Sequence, residues 1–334
     1  MRQATNISAS HKADLNTGYP AVVQKGNVGS KYIYAEQLRK KSKQEIHILR
    51  GYAGNVTTPV VTMYDTAGGH TQTWEYSGRS GKWFVGTKPS EDKQSTNNNT
   101  NKSNKIKWDK QIARVDIRKI GKTYYSNTQL PRLAYLNRAG DGVKPDGSTY
   151  AGSDLKRAEA ALSPDYSKFL LATVDNSGNG YFVIYDANVI NDALDNVESN
   201  TGYVNLDSVP YEESFVVPNF VDTVTSIQGY DIDNDGNIYI SSQLAPDTIK
   251  KEYHAKNIFK IPTFARTNTS NWLQIDLTNN AGPINIYGQG MHTELEGIQI
   301  IDENHCYLTV AYHKTVSGKN ETVSNKIYEV SWAE

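Results

Sequence analysis

The stretch TSIQGYDIDNDGNIYISS (225–242) alternates apolar and polar residues, turns at Asn-Asp-Gly, and alternates again, so it reads as two antiparallel strands joined by a tight turn. Four other segments begin in the same way: TGYPAVVQ (17–24), GHTQTWEY (69–76), KRAEAALS (156–163) and TELEGIQI (293–300). Each leads within about ten residues to a second β-rich run, namely KYIYAEQ, KWFVGTK, KFLLATV and CYLTVAY. Aligning the five units places Pro20, Gln72, Glu159, Gln228 and Glu296 in register, at steps of 52, 87, 69 and 68 residues. Strand-rich repeats of this length point to four-stranded blades, and five repeats point to an all-β, five-bladed β-propeller occupying residues 1–334 as one domain.

The last unit, ending in NKIYEVSW, is one strand short of a blade. An unpaired edge there invites pairing, so ATNISAS (4–10) is expected to close the ring as an N-terminal strand. SDLKRAEAAL has a capping residue and strong helix formers, yet its register with the other units favours a strand over AEAALS. DANVINDALDNV (186–197) is expected to form a short helix. The 87-residue step has two sources. One is the polar tract 89–105, expected to be a mobile loop; the other is the turn-rich, aromatic segment 123–152, expected to be a long ordered loop of the kind that carries function.

The 35 Lys and Arg nearly balance 36 Asp and Glu, which argues against nucleic acid as a partner and against electrostatic capture by an anionic membrane. The basic run Arg39, Lys40, Lys41 and Lys43 reads as a solvated loop tip unless a ligand uses it. No run of about 18 apolar residues is present, so no transmembrane segment is expected, and the first fifteen residues lack the apolar stretch of a signal peptide. The single cysteine, Cys306, lies in an apolar run and reads as a buried, inert thiol.

In a propeller the innermost strand of each blade faces the axis. Gln72, Glu159, Gln228 and Glu296 would therefore converge as a polar ring, with His70, Trp74, Glu75, Tyr230, His292 and Glu294 close by in sequence. Amides and carboxylates beside aromatic rings suit the hydroxyls and faces of a sugar, and two carboxylates can serve in glycoside cleavage. The same ring also suits a plain channel satisfied by its own hydrogen bonds. DIDNDG begins like a calcium loop but has Ser242 where a bidentate Glu is required, so it is read as a turn and no metal site is assigned. No phosphate loop, nucleophile elbow or dinucleotide fingerprint occurs, and no cofactor or catalytic residue is assigned.

Taken together, GYPAVVQKGNVGSKYIY, AGGHTQTWE, KQIARVDIR, YSNT followed by PRLAYLNRAG, SIQGYDIDNDGNIYISSQ and ENHCYLTVAYH resemble the helveticin J family of large, heat-labile bacteriocins of lactobacilli. The resemblance runs from about residue 17 to 332 and departs at 89–105 and 141–152. It implies an antibacterial protein, secreted or released without a recognisable signal peptide and active against related Gram-positive bacteria. It carries over no catalytic set. Three functions follow as expectations: a bacteriocin that recognises a cell-surface glycan or receptor and damages the envelope, a non-lytic lectin-like propeller, or a wall-polysaccharide glycosidase using Glu159 and Glu296.

Overall fold

In the computed structural model, which describes residues 1–91, 107–279, 281–285 and 290–334, five sheets, each with an antiparallel four-stranded body, are arranged around an axis as a five-bladed propeller. From the axis outward, blade 1 has strands Val23–Val28, Ile33–Lys40, Glu45–Tyr52 and Asn55–Met63, and blade 2 has Trp74–Tyr76, Lys82–Pro89, Asp109–Asp116 and Arg132–Ala134. Blade 3 is Leu155–Leu162, Lys168–Asp175, Gly180–Asp186 and Glu213–Val217; blade 4 is Ile227–Ile232, Ile238–Ser242, Asn257–Ile261 and Leu273–Asp276. Blade 5 comprises Met291–Asp302, His305–Val316 and Lys319–Ala333, and its outermost strand is Thr5–Asp14. The ring is thus closed by an N-terminal strand, and the two residues before it, Arg2 and Gln3, pair in parallel with the edge of blade 4.

The polar tract expected to be a loop lies, from residue 92 to 105, outside the described residues. Segment 123–152 is built from short pieces: a parallel edge strand on blade 1 (Lys122–Tyr124), a capped 3₁₀ turn (Asn127–Gln129), and the outer strand of blade 2. AEAAL (158–162) ends strand Leu155–Leu162, with Ser163 just beyond it, because pairing along Lys168–Asp175 satisfies a backbone that a lone helical turn would leave exposed. The helix occupies Ala187–Glu198, capped by Asp186, and packs Ile190 and Leu194 into the core between blades 2 and 3.

Apolar side chains collect in five clusters, one between each pair of neighbouring blades. Examples are Trp74, Trp83 and Val115 between blades 1 and 2, and Phe182, Phe220 and Trp272 between blades 3 and 4. Cys306 is buried between blades 4 and 5, where burial pushes its thiol up and keeps it protonated. The closing contact between blades 5 and 1 has the smallest apolar cluster and is stitched by polar groups instead. Asn325 accepts from the Val23 amide (2.9 Å) and donates to the Ala21 carbonyl (2.9 Å), while Thr309 accepts from the Gly26 amide (2.8 Å).

The inner strands sit close because small residues allow it: a Cβ on Gly229 would lie 3.0 Å from the Cα of Gly297. The DIDNDG segment is a turn whose Asp233 is fully engaged with its own loop. It accepts from the Asp235 and Asn237 amides, the Asn237 side chain and the Tyr239 hydroxyl. Blade 3 repeats the arrangement with Asp175, Asn179 and Tyr181. That recurrence explains the calcium-like spacing: Asp, Asn and Tyr recur because they brace a hairpin.

Candidate functional site

The innermost strands bring Gln72, Glu159, Gln228 and Glu296 together at the axis, all buried. The fifth position belongs to Gln24, whereas Pro20, the residue aligned there in sequence, is exposed and lies before the strand. The unit therefore shifts by four residues, and the ring is complete. Gln72 spans the axis: its side-chain amide lies within 3.0 Å of both Gln228 Oε1 and Glu296 Oε2 and 3.3 Å from Gln24 Oε1, so its two hydrogens are shared among three acceptors. Its Oε1 accepts from Arg157 Nη2 (2.5 Å), and its backbone amide donates to Glu159 Oε2 (3.1 Å).

Glu159 uses both oxygens, one accepting from Arg157 Nε (3.2 Å) and the other from the Thr73 hydroxyl (2.6 Å). Burial and the neighbouring Glu294 push the Glu296 carboxyl well above the usual range, with the Gln72 hydrogen bond pulling in the opposite direction. At this level the axis is filled by side chains bonded to one another.

One axial opening, about 740 Å³, has Gln24, His70, Gln228, Glu294, Glu296 and His313 on its walls, with Arg39 at the side. His70 stacks on Trp108 (4.1 Å) and contacts Gln24 Oε1 (2.9 Å) through Nε2, which therefore carries the proton. Burial, then the nearby Arg157, hold His70 well below its ordinary pKa, so the ring is neutral. Arg157 in turn lies 3.7 Å over the Trp108 ring. His313 Nε2 pairs with Glu294 Oε2 at 2.8 Å.

Three residues assigned to the ring from sequence lie elsewhere. Trp74 is fully buried, stacked on Trp83 in the core between blades 1 and 2. Tyr230 packs against Phe220 and Phe182 between blades 3 and 4, and His292 packs against Tyr253 and is absent from the lining of the opening. In the first two cases simple alternation does not apply: Gln72 lies before the strand that Trp74 opens, and a register shift between Ile227 and Gly229 sets Gln228 out of step with Tyr230. Sequence reading missed Gln24, Arg157, Trp108 and His313. Of these only Arg157 carried a signal, standing two residues before Glu159 and so on the same strand face.

Beneath the ring the axis carries buried charge. Lys25 Nζ lies 2.8 Å from Glu75 Oε1 and donates to the Ile298 carbonyl; burial alone would lower its pKa, but Glu75 and Asp231 hold it above the ordinary value. Burial, and next the Glu75 charge, push Asp231 well up. Past these groups the opposite axial opening, about 580 Å³, is walled by Tyr32, Tyr76, Trp83, Tyr166 and Tyr307, with Glu75 and Asp231 at its floor and Arg50 at its side. All but Tyr307 belong to a continuous rail: Tyr166 meets Tyr76 edge-on at 5.0 Å, Tyr76 lies 5.4 Å from Trp83, and Trp83 4.6 Å from Tyr34. Tyr34 continues to Tyr32 at 6.5 Å. Flat faces with a polar floor are what sugar rings stack on. Among the described residues no group of three or more His, Cys, Asp or Glu is placed to hold a metal, and no helix is long and apolar enough to cross a membrane.

Residues 3–333 match the family model described as "Bacteriocin helveticin-J". The chain is 49% identical over 351 residues to the bacteriocin helveticin-J of Lactobacillus helveticus, with 99% of each chain covered. Among solved structures it is similar to the tail fiber of Staphylococcus aureus phage P68, with a TM-score of 0.52 and 13% identity over 97% of this chain and 52% of that one. It also aligns with a thermostable family-43 glycoside hydrolase, at a TM-score of 0.47 and 9% identity over 97% and 96% of the two chains. The tail-fiber likeness is one of fold.

Proposed function

The chain belongs to the helveticin-J family of bacteriocins, and from that premise we propose that it acts outside the cell that makes it, kills related Gram-positive bacteria, and finds them by recognising a cell-surface glycan before the envelope is damaged. The observation that carries glycan recognition is the aromatic rail at one axial opening, where Tyr32, Tyr76 and Tyr166 sit above the polar floor of Glu75 and Asp231. Stacking on such faces is tolerant of neighbouring substituents, while the polar floor reads hydroxyls. The ring of Gln24, Gln72, Glu159, Gln228 and Glu296 supports this reading as the rigid plug from which the inner strands are hung, and the ring-side opening with His70, Gln228 and Glu296 offers a second polar seat.

The test is a pull-down of the purified protein on wall polysaccharide, peptidoglycan and lipid vesicles, joined to a dye-entry assay on sensitive cells. Saturable binding to polysaccharide together with dye entry is the expected result. Agglutination without dye entry or loss of viability would instead make the protein a lectin-like binder. Uniform failure to bind any of the three overturns surface recognition.

A further inference from the structure

Beside the ring-side opening, and meeting it at Ser42, lies a second cavity of about 740 Å³ formed by blades 1 and 2 and the 123–152 segment. Its charge is unlike that of the chain as a whole. Lys43, Lys88, Lys107, Lys110 and Arg132 line it, against two acids, Asp65 and Glu91. Among the described residues none of the five cations has a carboxylate within 4.0 Å, whereas Lys25, Lys40, Lys82 and Lys144 each have one. Like charges gathered around one concavity repel one another and persist only where something offsets them or water screens them.

Two further observations mark the cavity as built for a ligand. Arg132 and Gln44 are both buried, yet among the described residues Arg132 Nε and Gln44 Oε1 have no hydrogen-bond partner. A buried polar atom without a partner destabilises the fold unless a ligand or water supplies one. The lining also holds four non-glycine residues with left-handed backbone: Gln44 (φ 49°), Asp65 (φ 50°), Lys88 (φ 59°) and Tyr135 (φ 55°). Strain of this kind concentrates where side chains must be aimed. Tyr135 and Tyr203 contact each other (5.9 Å) at the rim and are about half exposed, offering flat faces beside the cations. Asn127 and Gln111, bonded to each other at 3.0 Å, add amides to the wall.

We propose that this cavity binds the phosphate groups of a polyol- or sugar-phosphate polymer on the target cell surface, the lysines and Arg132 meeting the phosphates and the tyrosines the carbon chain between them. Lysine ammonium groups act as point charges suited to successive phosphates, and Arg132 supplies a directional donor. The inference rests on the surface-recognition reading but places it at a different cavity and names the charge of the ligand. It also assigns a task to Lys43 of the basic run and to the long segment that supplies Asn127, Arg132 and Tyr135.

The experiment measures sedimentation of the full chain with cell walls of a sensitive strain, with the same walls stripped of phosphodiester polymer by hydrofluoric acid, and with phosphatidylglycerol vesicles. The variants are K88E/K110E, its neutral counterpart K88Q/K110Q, and Y166A at the aromatic rail; melting curves confirm folding. Intact walls should bind at least ten-fold more tightly than stripped walls, added salt or inorganic phosphate should erase the difference, and K88E/K110E should do the same while Y166A does not. Equal binding to intact and stripped walls, or wild-type binding by K88E/K110E, overturns the proposal. Should K88E/K110E fail to fold, wild-type binding by K88Q/K110Q in low salt overturns it equally. Binding to vesicles but not to intact walls also overturns it, in favour of a lipid headgroup. Equal binding to intact and stripped walls that Y166A abolishes would leave glycan recognition standing while this inference falls.

Discussion

The ammonium of Lys25, on the inner strand of blade 1, lies 2.8 Å from the carboxylate of Glu75, on the inner strand of blade 2, and neither side chain reaches solvent appreciably. A buried pair of this kind is weak evidence for added stability, but breaking it on one side strands a charge. Lys25→Met should cost about 3–5 kcal/mol, and adding Glu75→Leu should recover much of that loss. Denaturant unfolding of the two single variants and the double variant checks this through the coupling term.

Gln72 holds the axis together through contacts to Gln24, Gln228, Glu296 and Arg157. Gln72→Leu keeps the bulk but leaves several buried polar atoms short of partners. An unfolding free energy lower by about 1–3 kcal/mol is expected. An unchanged value would mean that water fills the place of the amide.

Stability should rise as pH falls from about 8 to about 5. Burial, then Glu159 and Asp109, raise Glu36; burial, then Glu159, raises Asp109; Asp231 and Glu296 are raised as well. The folded state thus holds more protons than the unfolded chain, whose carboxyls titrate near pH 4, about the ordinary value. The stabilisation is complete below that value and is lost as pH rises toward the folded pKa values. The opposite class is represented by Asp116, held at about 2 mainly by hydrogen bonds from Arg118; its contribution is lost only as pH falls below about 4. Melting temperature against pH should therefore show a maximum on the acid side of neutrality, and a flat or rising profile from pH 5 to 8 would refute the assignment.

Asn325 fastens the ring where its apolar cluster is smallest, with one side-chain bond to Val23 and another to Ala21. Asn325→Ala should lower stability by about 1–3 kcal/mol and speed amide exchange along Val23–Val28 more than in blade 3. Uniform exchange across all blades would show that closure is not locally weak.

Tyr166 is 43% exposed and ends the aromatic rail. Tyr166→Ala should weaken glycan binding roughly two- to ten-fold, the worth of one aromatic contact at about 0.5–1.5 kcal/mol, with little change in melting temperature. Titration calorimetry with wall oligosaccharide reads the difference directly.

Much of this was legible before the structure. Five units of alternating strands gave the five blades, and the missing last strand called for the N-terminal segment that fills it at Thr5–Asp14. Four of the five ring residues followed from register alone. The fifth was misplaced because TGYPAVVQ offers Pro20 by sequence alignment, whereas the strand begins at Val23 and puts Gln24 on the axis. Trp74 and Tyr230 stand near ring residues in sequence, with packing the favoured role for both; Gln72 precedes the strand that Trp74 opens and a register shift sets Gln228 out of step with Tyr230, so both large side chains enter interblade cores.

Sequence by itself determined the repeat, the blade count, the closing strand and the family, because strand periodicity and turn residues are local properties written in neighbouring positions. Tertiary structure alone decided that Gln72 crosses the axis and that Lys25 meets Glu75. It alone gathered the Tyr32, Tyr76 and Tyr166 rings into one rail, and Lys43, Lys88, Lys110 and Arg132 around one cavity. Those groupings join residues tens to hundreds of positions apart, and only the rotation from blade to blade fixes which of them share a face.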